Sequence, residues 1–240
     1  MNTFLFYDPA ISAETKGYTL SAEESWHIVK VLRYKKGDPL LVTNGNGSIF
    51  KTEMMSDSPK GVELQILNTR FTEPSKPEIS LAISPVKNRE TMEWLVEKAT
   101  EIGVTQLHFF TSEHSERTIL NHDRLEKIVI SAIKQSLQPY KPKLNPLLTF
   151  KSLLNQFQNK PIQKFMAHCE QHQKQHISKI YHRGADALIM IGPEGGFSEN
   201  EVELGKCMNF DIVSLGENRL RTETASIFAL SAIHIMNIHK

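Results

Sequence analysis

The sequence predicts an α/β protein: a small β-rich unit over 1–72, then a larger domain over 73–240 built on a mostly parallel sheet. Three observations carry this. After residue 77, short apolar runs alternate with amphipathic helical stretches, the rhythm of strand–helix–strand units with right-handed crossovers. Before residue 72, several short strands surround a single helix, and Asn44-Gly45-Asn46-Gly47 is a hairpin turn between two of them, the pattern of a small barrel. Between the halves, Thr72-Glu73-Pro74-Ser75-Lys76-Pro77 is a polar stretch punctuated by two prolines, which reads as a linker.

Taken in order, Thr3 to Tyr7 is a short strand. Ser21 and Glu24 have capping-box spacing and start a helix over Ala22–Arg33, with Trp26, Ile28, Val29 and Leu32 as its apolar face. Lys35-Lys36-Gly37-Asp38 ends it, and Leu40–Thr43, Ser48–Met54 and Val62–Asn68 are strands. Beyond the linker, Ile79–Ser84 is a strand. Asn88 caps a helix in which Met92, Leu95, Val96, Ala99 and Ile102 form one stripe, and Gly103 stops it. Leu107–Phe110 is a strand and Asp123–Ser136 a helix, with Leu125, Ile128, Val129, Ala132 and Ile133 facing inward. Lys164–Ala167 is the next strand. Ala187–Ile191 is a continuous apolar run, the mark of a strand buried on both faces. Ser198 and Glu201 repeat the capping-box spacing, and Asp211–Leu215 is the last strand. The final helix, Thr224 to about Ile238, is apolar nearly all round, so it belongs deep in a core or in a subunit contact, and a homodimer is expected.

Composition narrows the function classes. Lys and Arg number 28 against 27 Asp and Glu, a net charge of +1, so no global field favours a polyanion and only a local basic patch could. Two cysteines make no disulfide framework and read as reduced thiols. No run approaches the roughly 18 apolar residues of a membrane span. The start, MNTFLFYDPA, lacks the basic-then-apolar order of a signal peptide, so a cytoplasmic protein is expected.

The chemistry concentrates in 187–225, where two strands each end in a glycine-bearing loop that feeds a helix. Adjacent open loops at strand ends are where parallel sheets bind ligands. Gly192-Pro193-Glu194-Gly195-Gly196 can cradle a ligand with main-chain amides, though taken alone it is equally a structural turn. It is neither a phosphate P-loop nor the dinucleotide fingerprint. Gly216 breaks the second strand before Arg221-Thr222-Glu223-Thr224. Glu223 at a helix start is explained by the helix dipole, whereas Arg221 is not and is the better functional candidate. Cys169, His172 and His176 have helical ligand spacing, but they stand in a polar stretch and no metal is expected. No G-x-S-x-G nucleophile motif occurs. Lys30, Arg33, Lys35 and Lys36 cluster near His27, and Lys134, Lys141, Lys143 and Lys151 surround a proline-rich loop with Tyr140; either group suits phosphates or a plain solvated face.

These motifs resemble a known family. IGPEGGFSENE at 191–201 and SLGENRLRTETA at 214–225 are similar to the C-terminal signature of the ribosomal RNA small subunit methyltransferase E family, within the SPOUT superfamily. HIVKVLRYKKGD at 27–38, the Gly45–Gly47 hairpin, EKATEIGV at 97–104 and Ser115-Glu116-Arg117 match further elements in the same order, so the resemblance covers nearly the whole chain. It implies an N-terminal PUA-like barrel that binds RNA and a C-terminal SPOUT domain with a trefoil knot, in a homodimer. It implies transfer of a methyl group from S-adenosyl-L-methionine to N3 of a uridine in the decoding region of 16S rRNA, within the assembled small subunit. Carried over by motif, the cofactor contacts fall on Gly192, Pro193, Glu194, Gly195, Gly196, Leu215, Gly216, Leu220, Arg221 and Thr222, with Ala167 and His168 from the preceding strand end. Arg221 or Arg117 would favour the uracil anion, and Glu223 would orient that arginine or accept the proton. Lys30, Arg33, Lys35 and Lys36 would contact RNA. Two other readings are a SPOUT methyltransferase for a different RNA nucleotide and a non-catalytic ribosome-assembly protein. The chain departs from the family pattern at Asn2-Thr3, where basic residues are usual, and at Gln138, where an arginine is expected, with Lys134 and Lys141 nearby.

Overall fold

The computed structural model describes residues 4–14, 17–169 and 175–238. Contacts divide the chain into two units, Met1–Pro74 with Ile130–Lys141 and Ser75–Val129 with Pro142–Lys240.

In the first unit, strands β1 (Leu5–Tyr7), β2 (Gly17–Thr19), β3 (Pro39–Thr43), β4 (Ser48–Met54) and β5 (Glu63–Phe71) form a sheet in the order β1-β3-β4-β5-β2. Hairpin β3–β4 closes through Gly45 and Gly47 at φ 74° and 95°, conformations that glycine adopts freely. Phe6, Ile28, Val42, Phe50, Met54 and Leu64 fill the core. Helix α1 (Ala22–Trp26) begins as expected, with the Ser21 hydroxyl accepting from the Glu24 amide. The Glu24 carboxylate does not return to complete a capping box; it pairs instead with Lys134 at 2.6 Å. The helix then widens into a π-helical turn over His27–Val31, closed by the Leu32 amide on the His27 carbonyl. The expected apolar face is corrected at one residue: Ser25 and Ile28 are buried, but Trp26, about 200° round the helix from Ile28, is 55% exposed. Lys134 and Tyr140 are likewise committed inside this unit, since the Tyr140 hydroxyl donates to the Thr72 carbonyl at 2.9 Å.

The second unit contains strands β6 (Ile79–Ile83), β7 (Gln106–Thr111), β8 (Lys143–Thr149), β9 (Gln163–Ala167), β10 (Gln175–His176), β11 (Ala187–Ile191) and β12 (Asp211–Ser214). All pair in parallel, in the order β10-β12-β9-β11-β6-β7-β8. The helices are α2 (Arg89–Ile102), α3 (His122–Gln135), α4 (Phe150–Phe157), α5 (Ile177–Ile180), α6 (Glu199–Cys207) and α7 (Thr222–Ile238). Alternate residues of β11 feed two cores: Ile189 packs with Leu95, Val96, Ala229 and Ile233 from α2 and α7, while Leu188 and Met190 pack with Leu153, Leu154 and Val202 from α4 and α6.

Strand β8 and helix α4 replace the proline-rich loop expected around Lys141–Lys151. Pro146 is compatible with a strand here because β8 is a sheet edge among the described residues, and its register slips opposite Leu107–Phe109. On α7, Ala225, Ala229, Leu230 and Ile233 are buried while Phe228, Ile235 and Ile238 are 42%, 58% and 61% exposed, leaving an apolar solvent side. His172 lies outside the described residues; among those described, no three His, Cys, Asp or Glu side chains are placed to hold a metal. No described helix is long and apolar enough to cross a membrane.

His108 of β7 is 1% exposed, lies edge-on to Phe157 at 5.0 Å, and neither ring nitrogen has a hydrogen-bond partner among the described residues. Burial, with smaller contributions from Lys160 and Lys143, lowers its pKa from 6.5 to about 4. The unfolded chain therefore takes up a proton below pH 6.5 that the folded chain refuses until about pH 4. Stability from this residue is complete above that window and is lost as pH falls through it, by about 3 kcal/mol in all. His108→Leu is expected to lose less stability than the parent over the same pH range, measured by urea unfolding at each pH.

Candidate functional site

Because every strand of the larger sheet runs the same way, the loops after β6, β9, β11 and β12 open on one edge. They enclose a cleft of about 1120 Å³. Ala167 and His168 reach it from β9, Gly192, Pro193, Glu194 and Gly196 from β11, and Leu215, Gly216, Leu220, Arg221, Thr222 and Glu223 from β12. Gly195 does not line it. A Cβ on Gly195 would lie 2.8 Å from Cβ of His114, so this glycine is required for close passage of the β7–α3 loop. The sequence reading missed Val86, Lys87, Asn88 and Thr91, which line the cleft from the loop after β6 and the start of α2, and Glu217, Asn218 and Arg219. Asn88 was legible only as a helix cap, which it is, accepting from the Thr91 amide at 2.9 Å. That β6 lies beside β11 is not written in any local motif.

Side chains join the loops. The Thr222 hydroxyl, 4% exposed, donates to the Gly192 carbonyl at 3.1 Å, tying the loop after β12 to the loop after β11. Behind Gly192, a Cβ would come within 3.1 Å of the Phe197 ring, which stacks on Phe110 at 6.0 Å and tilts against Phe150. Ser198 and Glu201 form the full capping box of α6, and the second Glu201 oxygen accepts from the Glu113 amide at 3.0 Å. Glu194 accepts from the Lys87 amide at 2.8 Å. The Lys87 ammonium pairs with Glu116 at 2.7 Å, which raises its pKa, and Ser84 and Ser115 share a hydrogen bond at 2.8 Å. Thus the Ser115-Glu116 pair braces the loop after β6.

Arg117 is not in the cleft. Its Nε donates to the Ile119 carbonyl at 3.0 Å, and it borders a separate shallow depression with Ile119–Asp123. Arg221 is exposed at the cleft with no side-chain partner among the described residues, and Glu223 is half-buried nearby. Val86, Ile191, Leu220 and Ala225 supply apolar wall, the glycine turns expose main chain, and Lys87, Glu194, Glu217, Arg219, Arg221 and Glu223 bring charges of both signs to the lining. This lining suits a ligand with an apolar ring system, a cationic centre and zwitterionic ends. In the first unit, Lys30, Arg33, Lys35 and Lys36 are all exposed.

Residues 73–234 match the family described as RNA methyltransferase domain, and residues 20–67 match the RNA methyltransferase PUA domain. Among solved structures, a probable rRNA-methyltransferase from Porphyromonas gingivalis is 38% identical, with a TM-score of 0.90 and 98% of each chain covered. A ribosomal RNA small subunit methyltransferase E from Neisseria gonorrhoeae, solved bound to S-adenosyl methionine, is 26% identical, with a TM-score of 0.87 and 98% of each chain covered. The protein of that name from Bacillus subtilis is 29% identical over 92% of this chain and 90% of its own.

The tie between the loops is testable without a ligand. Thr222→Val keeps the shape but leaves the buried Gly192 carbonyl without its donor, an expected loss of about 1–3 kcal/mol visible as a lower urea midpoint. Thr222→Ser is expected to keep most of the stability.

Proposed function

Because the chain belongs to the RNA methyltransferase family that includes ribosomal RNA small subunit methyltransferase E, we propose that it methylates N3 of one uridine in 16S rRNA, using S-adenosylmethionine. The observation that carries the reading is the cleft itself: two glycine turns, Gly192–Gly196 and Gly216, meet over an apolar wall with carboxylates and guanidinium groups at its rim. When bound, S-adenosylmethionine supplies a methyl group activated by the positive sulfur that carries it.

The chain's own residues then have three tasks. The turns at Gly192–Gly196 and Leu215–Leu220 hold the donor, their spacing set by the Thr222–Gly192 bond. Arg221, cationic and uncommitted, faces a uracil carbonyl and stabilises the negative charge that N3 acquires as it loses its proton. Glu223 would accept that proton, leaving the N3 lone pair free to take the methyl group that the bound donor would supply. Arg117 serves the RNA rather than the reacting ring in this scheme, since it lies outside the cleft. The reading includes the knotted SPOUT topology, the assembled small subunit as substrate, a cytoplasmic setting and a homodimer. The exposed Phe228, Ile235 and Ile238 of α7 support the dimer as the apolar area a partner would cover.

Tritium transfer from labelled S-adenosylmethionine to small subunits from cells lacking the protein, with naked 16S rRNA alongside, is expected to yield 3-methyluridine at one site. A different labelled nucleoside would sink the uridine assignment, and no label on any RNA would sink the activity. Arg221→Ala is expected to reduce kcat by about 10²–10³-fold. Sedimentation is expected to show a dimer of the 27.3 kDa chain.

A further inference from the structure

The exposed side of the first helix in the N-terminal unit combines an aromatic ring with unpaired cations. Trp26 is 55% exposed, and no aromatic or cationic side chain among the described residues covers its ring. Lys30 lies one turn further along the same face, opposite Ile28, which is 0% exposed. Past the π-helical turn come Arg33, Lys35 and Lys36, all exposed. None of these four cations has an ion-pair partner among the described residues. Over 21–38 the opposing charges are Glu23 and Asp38, whose carboxylate accepts from the Lys35 amide at 2.7 Å, because Glu24 is taken by Lys134.

Arg33 adds a second kind of evidence. It leaves the helix at φ 61°, the left-handed conformation in which glycine is the usual residue and a side chain is strained. An arginine standing where glycine fits better, with no ion-pair partner among the described residues, leaves its guanidinium available to a ligand.

We propose that Trp26 is a stacking platform for an unpaired base of single-stranded RNA, whose phosphates lie along Lys30, Arg33, Lys35 and Lys36. The proposal rests on the rRNA reading above and deepens it by stating the form of RNA that this surface takes. Four cations without ion-pair partners against two carboxylates select a polyanion over an apolar protein partner. An exposed indole selects a single strand over a duplex, because the base faces of a duplex are already stacked.

The chain has two tryptophans, so Trp94→Phe leaves Trp26 as the sole indole emitter. In that background, a single-stranded oligouridylate of about twelve nucleotides is expected to quench the fluorescence, and a duplex of equal length to quench it far less. Trp26→Ala is expected to weaken oligouridylate binding about 5- to 100-fold, with Trp26→Phe retaining most of it. Arg33→Gly is expected to weaken binding several-fold while the thermal midpoint stays level or rises, because the strain is relieved. Undiminished binding by Trp26→Ala, equal quenching by the duplex, or an Arg33→Gly variant that loses thermal stability together with binding would overturn the proposal. So would a Trp26→Ala variant that loses self-association in sedimentation while still binding oligouridylate normally. Methyl transfer to small subunits separates the two readings. If the parent methylates and Trp26→Ala has an unchanged KM for subunits, the stacking proposal fails alone. If the parent transfers no methyl group yet is quenched by the single strand, the activity fails and the RNA contact stands.

Discussion

Strand β11 is the constraint on which the larger unit depends. Its five residues are buried on both faces, and both of its edges are taken, by β9 and by β6. Almost nothing on it reaches water, so its backbone must be satisfied by neighbours running in parallel, and its side chains must fill two separate cores. Parallel pairing throughout puts all the strand ends that matter on one edge. The chain must turn there, and Gly192 turns it so close to the Phe197 ring that a side chain would fit only if the ring gave way by a few tenths of an ångström. The cleft follows from where the sheet stops.

What keeps the cleft in shape is a set of bonds between loops rather than within them. The Thr222 hydroxyl satisfies a buried carbonyl that would otherwise be stranded, and such a bond is worth about 1 kcal/mol made and more than that broken, while Glu201 ties down the Glu113 amide. The exposed Lys87–Glu116 pair adds little stability, but it fixes where the loop after β6 lies. Against this scaffold Arg221 is conspicuous for having no structural task. The same contrast holds in the N-terminal unit, where Lys134 is used up in holding Glu24 while Lys30, Arg33, Lys35 and Lys36 are left to solvent.

Much of this was legible locally. Ser48–Met54 and Ala187–Ile191 are strands at the residues that the hairpin turn and continuous apolarity indicated, and Ser198 with Glu201 makes the capping box that its spacing implied. Asn88 and Gly103 bound α2 as their side-chain chemistry requires. Where the local signal was mixed, it misled. Pro146 and flanking lysines disguised β8 and α4, although Phe150, Leu153, Leu154 and Phe157 already had helical spacing. Trp26 was assigned inward on its apolar character, although it stands about 200° round the helix from the buried Ile28.

The sequence by itself determined most of the element types and the two glycine turns, because each depends on near neighbours in the chain. Tertiary structure alone decided which loops meet. That Lys87 and Thr91 join the site, that Gly195 serves His114 rather than the cleft, that Arg117 lies apart, and that residues 130–141 pack with the first unit all follow from strand order and long-range packing. The physical reason is the range of the forces. Periodicity, caps and glycine conformations act over a few residues, whereas sheet order is set by burial of whole faces whose partners lie far along the chain.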